Sequence, residues 1–221
     1  MNFVTKCIQN VSVSIDRIER SCNLRFMKHS DPTPPIREMQ ILDAAIAAFA
    51  SYGYRRTSME DIANGAGMSR SALYLHYKNK EAIFQAIVSG YLSSAAEGIK
   101  AAMTGSGSVH GQLHAAFVAK DGPVMAQLFD SPHGAELMDA GFAIGTELFE
   151  QFSDRMTQVI AGWISAGVED QRMRCDGCPP DVMAHTILAA LVGQKKEATC
   201  YEDYVQRRDC LARMFAAALT Q

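Results

Sequence analysis

The stretch TSMEDIANGAGMSRSALYLHYKNKEAIFQAIV, Thr57–Val88, decides how this chain is read. Ser58 stands before Met59, Glu60 and Asp61, so its hydroxyl can cap the free amides of a starting helix. The acid three residues on favours the same end, although Asp is shorter than the usual Glu of a capping box. That helix is brief, SMEDIANGA, and Gly67 follows it. Met68 and Ser69 come next, and RSALYLHY reads as another short helix with Ser69 as its cap. Two short helices joined by a tight, glycine-containing turn form the helix-turn-helix pattern, whose second helix enters the major groove of DNA. The small residues Ala63, Ala66 and Gly67 let the two helices approach closely.

Upstream, MQILDAAIAAFASYG repeats Leu42, Ala45, Ile46 and Phe49 at three- and four-residue spacing, which predicts a first helix ending near Gly53. Before it, the prolines of SDPTPP, Ser30–Pro35, stop any continuous helix. Residues 1–35 therefore read as a flexible or unassigned extension, and a true start near Met27 or Met39 would account for its length.

The second helix of the pair carries the reading surface. Arg70 and Ser71 lie in its first turn, within reach of base edges or phosphate, while Leu73 and Tyr77 face a small core. Tyr74 and His76 can donate to phosphates from the rim, and Lys80 adds charge beside the amides opening the next helix. The competing account makes Tyr74 and Tyr77 partly buried aromatics and Lys80 a solvated surface residue.

The segment closely resembles the DNA-binding domain of TetR-type transcriptional regulators. The matching residues are Thr57, Ile62, Ala63, Ala66, Gly67, Ser69, Leu73, Tyr74, His76, Tyr77 and Lys80, in the family's spacing, and the resemblance covers about Ile36–Gly90. It implies an all-α chain: a three-helix helix-turn-helix domain over residues 36–82, joined to a larger helical ligand-binding and dimerisation domain over residues 83–221. It also implies that Thr57, Ser69, Arg70, Tyr74, His76 and Lys80 touch the DNA backbone and that Ser71 and Ala72 lie near bases. Leu75 stands where the family more often has an aromatic or small residue, which leaves base preference open. Repression, relieved by a small ligand, is the expected mode.

Beyond the motif, Lys80–Met103 reads as a connecting helix, with further helical pieces around Gln112–Ala119, Pro123–Phe129, Glu136–Ala140 and Ile144–Val168. The last carries Leu148, Phe149, Phe152, Met156, Val159, Ile160, Trp163 and Ile164, an apolar surface wide enough to meet several neighbours. A packed core is one reading of it. The other is a chamber for a small, largely apolar effector, lined by Phe117, Met125, Phe129, Phe149, Phe152, Met156 and Trp163. Two terminal helices, about Pro180–Ala198 and Tyr201–Leu219, can pair; two copies of the pair would form a four-helix homodimer interface. A symmetric dimer suits a palindromic operator with half-sites one or more turns apart.

Composition agrees with a regulator and gives no support to chemistry. Apolar residues make up 48% of the 221 and charged ones 20%, which excludes wholesale disorder. Residues 1–91 carry 11 Lys/Arg against 8 Asp/Glu, and residues 92–221 carry 10 against 16, so the positive part coincides with the helix-turn-helix. Six scattered cysteines in a chain too large to need staples point to a reducing, cytoplasmic setting, and no apolar run is long enough for a membrane span. Cys175 and Cys178 have CxxC spacing without a second close pair, so a loop with incidental cysteines is preferred to a metal or thiol switch. His110 and His114, without a nearby acid in sequence, read as surface residues. No nucleophile elbow, phosphate-binding glycine loop or acidic cluster appears, so no enzyme, cofactor or metal is expected. The alternatives are a DNA-binding regulator without a small-molecule switch, which a tightly filled second domain would favour, and a helical enzyme.

Overall fold

The computed structural model describes residues 36–122 and 124–220, and among them every regular element is a helix. The expected extension, residues 1–35, lies outside the described residues. Helix α1 (Ile36–Tyr52) ends at Gly53, whose φ of +80° turns the chain and whose N–H reaches the Phe49 carbonyl at 2.9 Å. Helix α2 (Met59–Gly65) opens on a complete capping box. The Asp61 N–H donates to Ser58 Oγ at 3.2 Å and the Ser58 N–H donates to Asp61 Oδ2 at 2.8 Å, so the shorter acid closes the box after all. Those bonds hold the Asp61 carboxyl below its usual range.

At the other end of α2, the Met68 N–H bonds the Ala63 carbonyl at 3.0 Å and the Gly67 N–H bonds that of Asn64 at 3.1 Å. This is the bond pair of a glycine-terminated helix, with Gly67 left-handed at φ +63°. A methyl group at Gly67 would meet no atom within 4 Å, so only backbone strain opposes it. Gly67→Ala is therefore expected to lower stability by about 1–2 kcal/mol. Urea unfolding measures this, and an unchanged midpoint would contradict the role given to the turn.

Helix α3 (Arg70–His76) starts at Ser69, whose Oγ accepts from the Ala72 N–H at 3.2 Å, and seats Leu73 fully buried. Leu73 joins Ile41, Ala45, Phe49, Ile62, Ile83 and Phe84 in a first core, where the Phe49, Tyr54 and Phe84 rings meet with centroids 5.0–5.5 Å apart. Tyr77 packs partly buried against the same core.

Helix α4 (Lys80–Thr104) belongs to two cores. Ile83, Phe84, Val88 and Leu92 pack with the helix-turn-helix, whereas Ala96, Ile99 and Met103 pack with the helices of the second domain. The chain continues through α5 (Val109–Asp121), α6 (Val124–Asp130), α7 (Gly134–Ile144), α8 (Thr146–Glu169), α9 (Pro180–Glu197) and α10 (Tyr201–Thr220). The terminal helices meet, but α9 lies chiefly on α8 and α10 chiefly on α5. Leu113, Phe117, Met156, Ile160, Trp163, Ile164, Ile187 and Leu191 form the centre of the second core. Gln112 ties that core to the end of α4. Its buried Nε2 donates to the Gly105 carbonyl at 2.7 Å and the Met103 carbonyl at 3.2 Å, and its Oε1 accepts from the Trp163 indole at 3.3 Å.

Candidate functional site

Two surfaces are candidates for function. The first is the outer face of α3. With Leu73 turned inward, Arg70, Ser71, Tyr74, Leu75 and His76 are all exposed, Tyr74 by 43% and Leu75 by 86%. The Arg70 guanidinium carbon lies 5.6 Å from the Tyr74 ring centroid and its Nη2 is 3.5 Å from the phenol oxygen, so two neighbouring donors are held together one turn apart. Ser69 Oγ and Ser71 Oγ lie 3.0 Å apart, and Ala72 is half-buried. Fixed cationic and hydroxyl donors beside a short exposed helix are the equipment for holding phosphates while the helix meets base edges.

Two residues expected at the DNA face are used differently. Thr57 is 2% exposed, and its hydroxyl points back to the Gly53 carbonyl at 2.7 Å and the Ala48 carbonyl at 3.2 Å. The Lys80 ammonium is surrounded by the carbonyls of Tyr54, Arg55 and Thr57 at 2.7, 2.9 and 2.9 Å, with the Tyr54 ring centroid 4.7 Å away. Its three donors are therefore occupied by the loop between α1 and α2. Lys80 fastens that loop, which displays the exposed Arg55 and Arg56, instead of standing free as a phosphate donor.

The second surface is a cavity of about 690 Å³, within the range of small-molecule sites. Its wall is built by both parts of the chain: Ile46, Phe49 and Ala50 of α1, Phe84, Ile87 and Val88 of α4, and Leu128, Leu137, Met138 and Phe142 of α6 and α7. Of the seven residues expected in a chamber, Met125, Phe149 and Phe152 line it. The other four lie elsewhere. Phe117, Met156 and Trp163 are in the second core, Trp163 being held there by Gln112, and Phe129 stacks on Tyr204 with centroids 5.6 Å apart. Polar ties cross beside the cavity as well: the Arg55 N–H donates to Glu136 Oε1 at 2.8 Å, and Ser131 Oγ donates to the Ala50 carbonyl at 3.4 Å.

One end of the cavity is charged, and the sequence reading did not anticipate it. Lys120 and Lys195 stand in the wall. Behind them Asp121, 1% exposed, accepts from the Tyr204 hydroxyl at 2.7 and 2.8 Å and pairs with Lys195 Nζ at 3.5 Å and Arg208 Nη1 at 3.6 Å. Arg208 also meets Asp209 through Nε and Nη2, at 3.1 and 3.0 Å. Burial and the Asp121 carboxylate push the Tyr204 phenol far up. The signal was present in the helical spacing: Lys120 continues the stripe Leu113, Ala116, Phe117, Lys195 continues Leu188 and Leu191, and Arg208 lies between Tyr204 and Ala212.

Burial, then the neighbouring Lys120, push the Lys195 ammonium down to about 7, with Asp121 opposing them. A lysine that releases its proton near 7 when folded, against 10.5 ordinarily, makes the native state bind fewer protons than the unfolded state between those values. Stability should therefore rise with pH across that window. Relative to Lys195→Met, the native chain is expected to gain stability from pH 7 to about pH 9, by no more than about 1.4 kcal/mol per pH unit. A pH-independent difference in unfolding free energy would contradict this burial.

Cys175 and Cys178 carry free thiols, and the Cys175 thiol donates to the Cys178 carbonyl at 2.8 Å. Burial pushes the Cys175 thiol up, away from the reactive thiolate. Among the described residues no group of three or more His, Cys, Asp or Glu could hold a metal, and no helix is long and apolar enough to cross a membrane. His114 does have an acidic partner, which the sequence concealed: Asp209 of α10 lies 3.3 Å from its Nε2.

Residues 41–87 match the family model for bacterial regulatory proteins, tetR family. The HTH-type transcriptional regulator YhgD of Bacillus subtilis (strain 168) is 27% identical over 156 residues, 69% of this chain and 78% of that protein. The HTH-type transcriptional repressor KstR2 of Rhodococcus jostii (strain RHA1) is 26% identical over 146 residues, 63% of this chain and 69% of that one. SmeT, the repressor of the Stenotrophomonas maltophilia multidrug efflux pump SmeDEF, shares the fold with a TM-score of 0.64 at 23% identity, over 85% of this chain and 92% of that chain. The SmeT–triclosan complex gives 0.63 at 21% identity, over 85% and 93%.

Proposed function

We propose that this chain, which belongs to the TetR family of bacterial regulatory proteins, is a cytoplasmic repressor that leaves its operator when a small molecule fills the cavity. The observation that carries this reading is the shared wall. Because α1 of the helix-turn-helix and α6–α8 of the second domain enclose one space, an occupant has contacts with both. Any difference in fit between two relative placements of these parts becomes a difference in DNA affinity. A tenfold loss of affinity needs only about 1.4 kcal/mol of such difference. A cavity of this size between the two parts favours this reading over a regulator without a small-molecule switch, and the relative SmeT has been captured with triclosan.

Operator reading by so short a helix calls for two copies on a palindromic site. The terminal helices suit a homodimer. Ile187, Leu188, Leu191 and Leu219 are used inside the chain, while Val182 of α9 and Met214 of α10 remain exposed for a second copy.

Reciprocity provides the test. A compound that raises the melting temperature of the purified protein is titrated calorimetrically with and without saturating operator duplex. If cavity and DNA face are coupled, operator weakens the compound by the factor by which the compound weakens operator. Equal affinity in the two titrations would contradict the switch.

A further inference from the structure

The charged end of the cavity defines what chemistry its occupant brings. This step rests on the reading of the cavity as the effector site. The cationic groups in the wall are Lys120 of α5 and Lys195 of α9, with Arg208 of α10 behind them, and the acids close to this group are Asp121 and Asp209. The remaining neighbours are the Tyr204 and Tyr91 hydroxyls; the first donates to Asp121 and the second to the Lys120 carbonyl at 2.7 Å. Glu150 and His185 also line the cavity, and both are exposed.

Pairing these charges leaves one over. Arg208 has Asp209 on two nitrogens, and Lys195 has Asp121. Lys120 is 8% exposed, and among the described residues its ammonium has neither a hydrogen-bond acceptor nor an ion-pair partner, although Asp121 acts on it through space. A mostly buried lysine whose ammonium reaches only the cavity and has no acceptor opposes folding, and a chain that retains one there gains from it when something negative arrives. Apart from Gln127, Ser131, Thr146, Glu150, Ser153 and His185, the rest of the wall is aliphatic and aromatic.

We propose that the effector is an organic anion with an apolar body, a carboxylate in the simplest case, whose charged head sits between Lys120 and Lys195 while its body lies along Phe84, Leu128, Phe149 and Phe152. The head supplies the acceptor that Lys120 lacks, and Lys195 is shared between it and Asp121. Charge-assisted hydrogen bonds in a water-poor end wall discriminate strongly against neutral heads on the same body.

Three probes with one body and different heads test this: decanoate, 1-decanol and decyltrimethylammonium, titrated calorimetrically into the full-length protein and into Lys120→Met. Decanoate is expected to bind the native chain at least tenfold more tightly than decanol, with the cation weakest. Lys120→Met should bring decanoate and decanol within about threefold of each other while raising the melting temperature of the ligand-free protein. Those opposite effects on ligand and stability separate a binding lysine from one that merely supports the fold. Decanol binding as tightly as decanoate would overturn the anionic head and leave the cavity reading standing, as would a decanoate preference surviving in Lys120→Met. If none of the three binds, the cavity reading fails, and this inference with it.

Discussion

Asp121→Asn is expected to destabilise the protein by about 3–5 kcal/mol, a large fraction of the stability of an ordinary domain. The substitution keeps the shape of the side chain, so packing is not the cause, but it turns one of two acceptor oxygens into a donor that faces other donors. It removes the acid that pairs with both Lys195 and Arg208 and lies beside Lys120 in a region that water barely reaches. Arg208 keeps Asp209, but the two lysines lose the acid nearest to them. At pH 6, below the value of about 7 at which Lys195 releases its proton in the native chain, Coulomb repulsion and desolvation lose their counterweight, and part of the cost is the forced release of that proton. Urea unfolding followed by circular dichroism should show a lower midpoint with an unchanged slope. Adding Lys195→Met should recover part of the loss, because the second substitution withdraws one of the stranded charges. A loss below about 1 kcal/mol would mean that water reaches this cluster and that its charges are ordinary surface charges.

The second large effect concerns DNA. The triple variant Arg70→Ala, Tyr74→Ala, His76→Ala is expected to lose operator affinity by about a hundredfold or more and to show a shallower dependence of binding on salt. All three side chains are exposed, Leu73 stays in place, and alanine suits a helix, so the unit should remain folded. A symmetric dimer loses each contact twice. Fluorescence anisotropy at two salt concentrations, with helicity checked in parallel, measures both quantities. Lys80 is left out because removing its ammonium would free the Tyr54–Thr57 loop as well as a charge. Its loss of DNA affinity would therefore not identify a phosphate contact. A folded triple variant with native affinity would remove α3 as the reading helix.

The sequence was most legible where local chemistry acts alone. Ser58, Asp61, Gly67 and Ser69 set helix ends through bonds three or four residues away, and those ends formed where the spacing placed them. The long helices arose from apolar periodicity, including α4, α8, α9 and α10. Periodicity shows which face is buried without showing what it is buried against. Phe117, Met156 and Trp163 were therefore indistinguishable from Phe149 and Phe152 until α5, α8 and α9 came together, and only the latter pair lines the cavity. Thr57 and Lys80 show the same limit. Their types suit phosphate binding, but carbonyls brought close by the turn after α1 occupy them first. Charged residues on apolar stripes, Lys120, Lys195 and Arg208, were the readable sign of the buried cluster. Asp121 and Tyr204, 83 residues apart, join only in the fold.

The most direct measurement is anisotropy of a labelled duplex from the upstream region of the protein's own gene, titrated with purified protein in the presence of excess random duplex at two salt concentrations. Saturable binding that survives the competitor and weakens when a cavity ligand is added is the predicted result. Binding that random DNA erases equally at both salt concentrations, with or without ligand, would contradict a ligand-released repressor acting at that site.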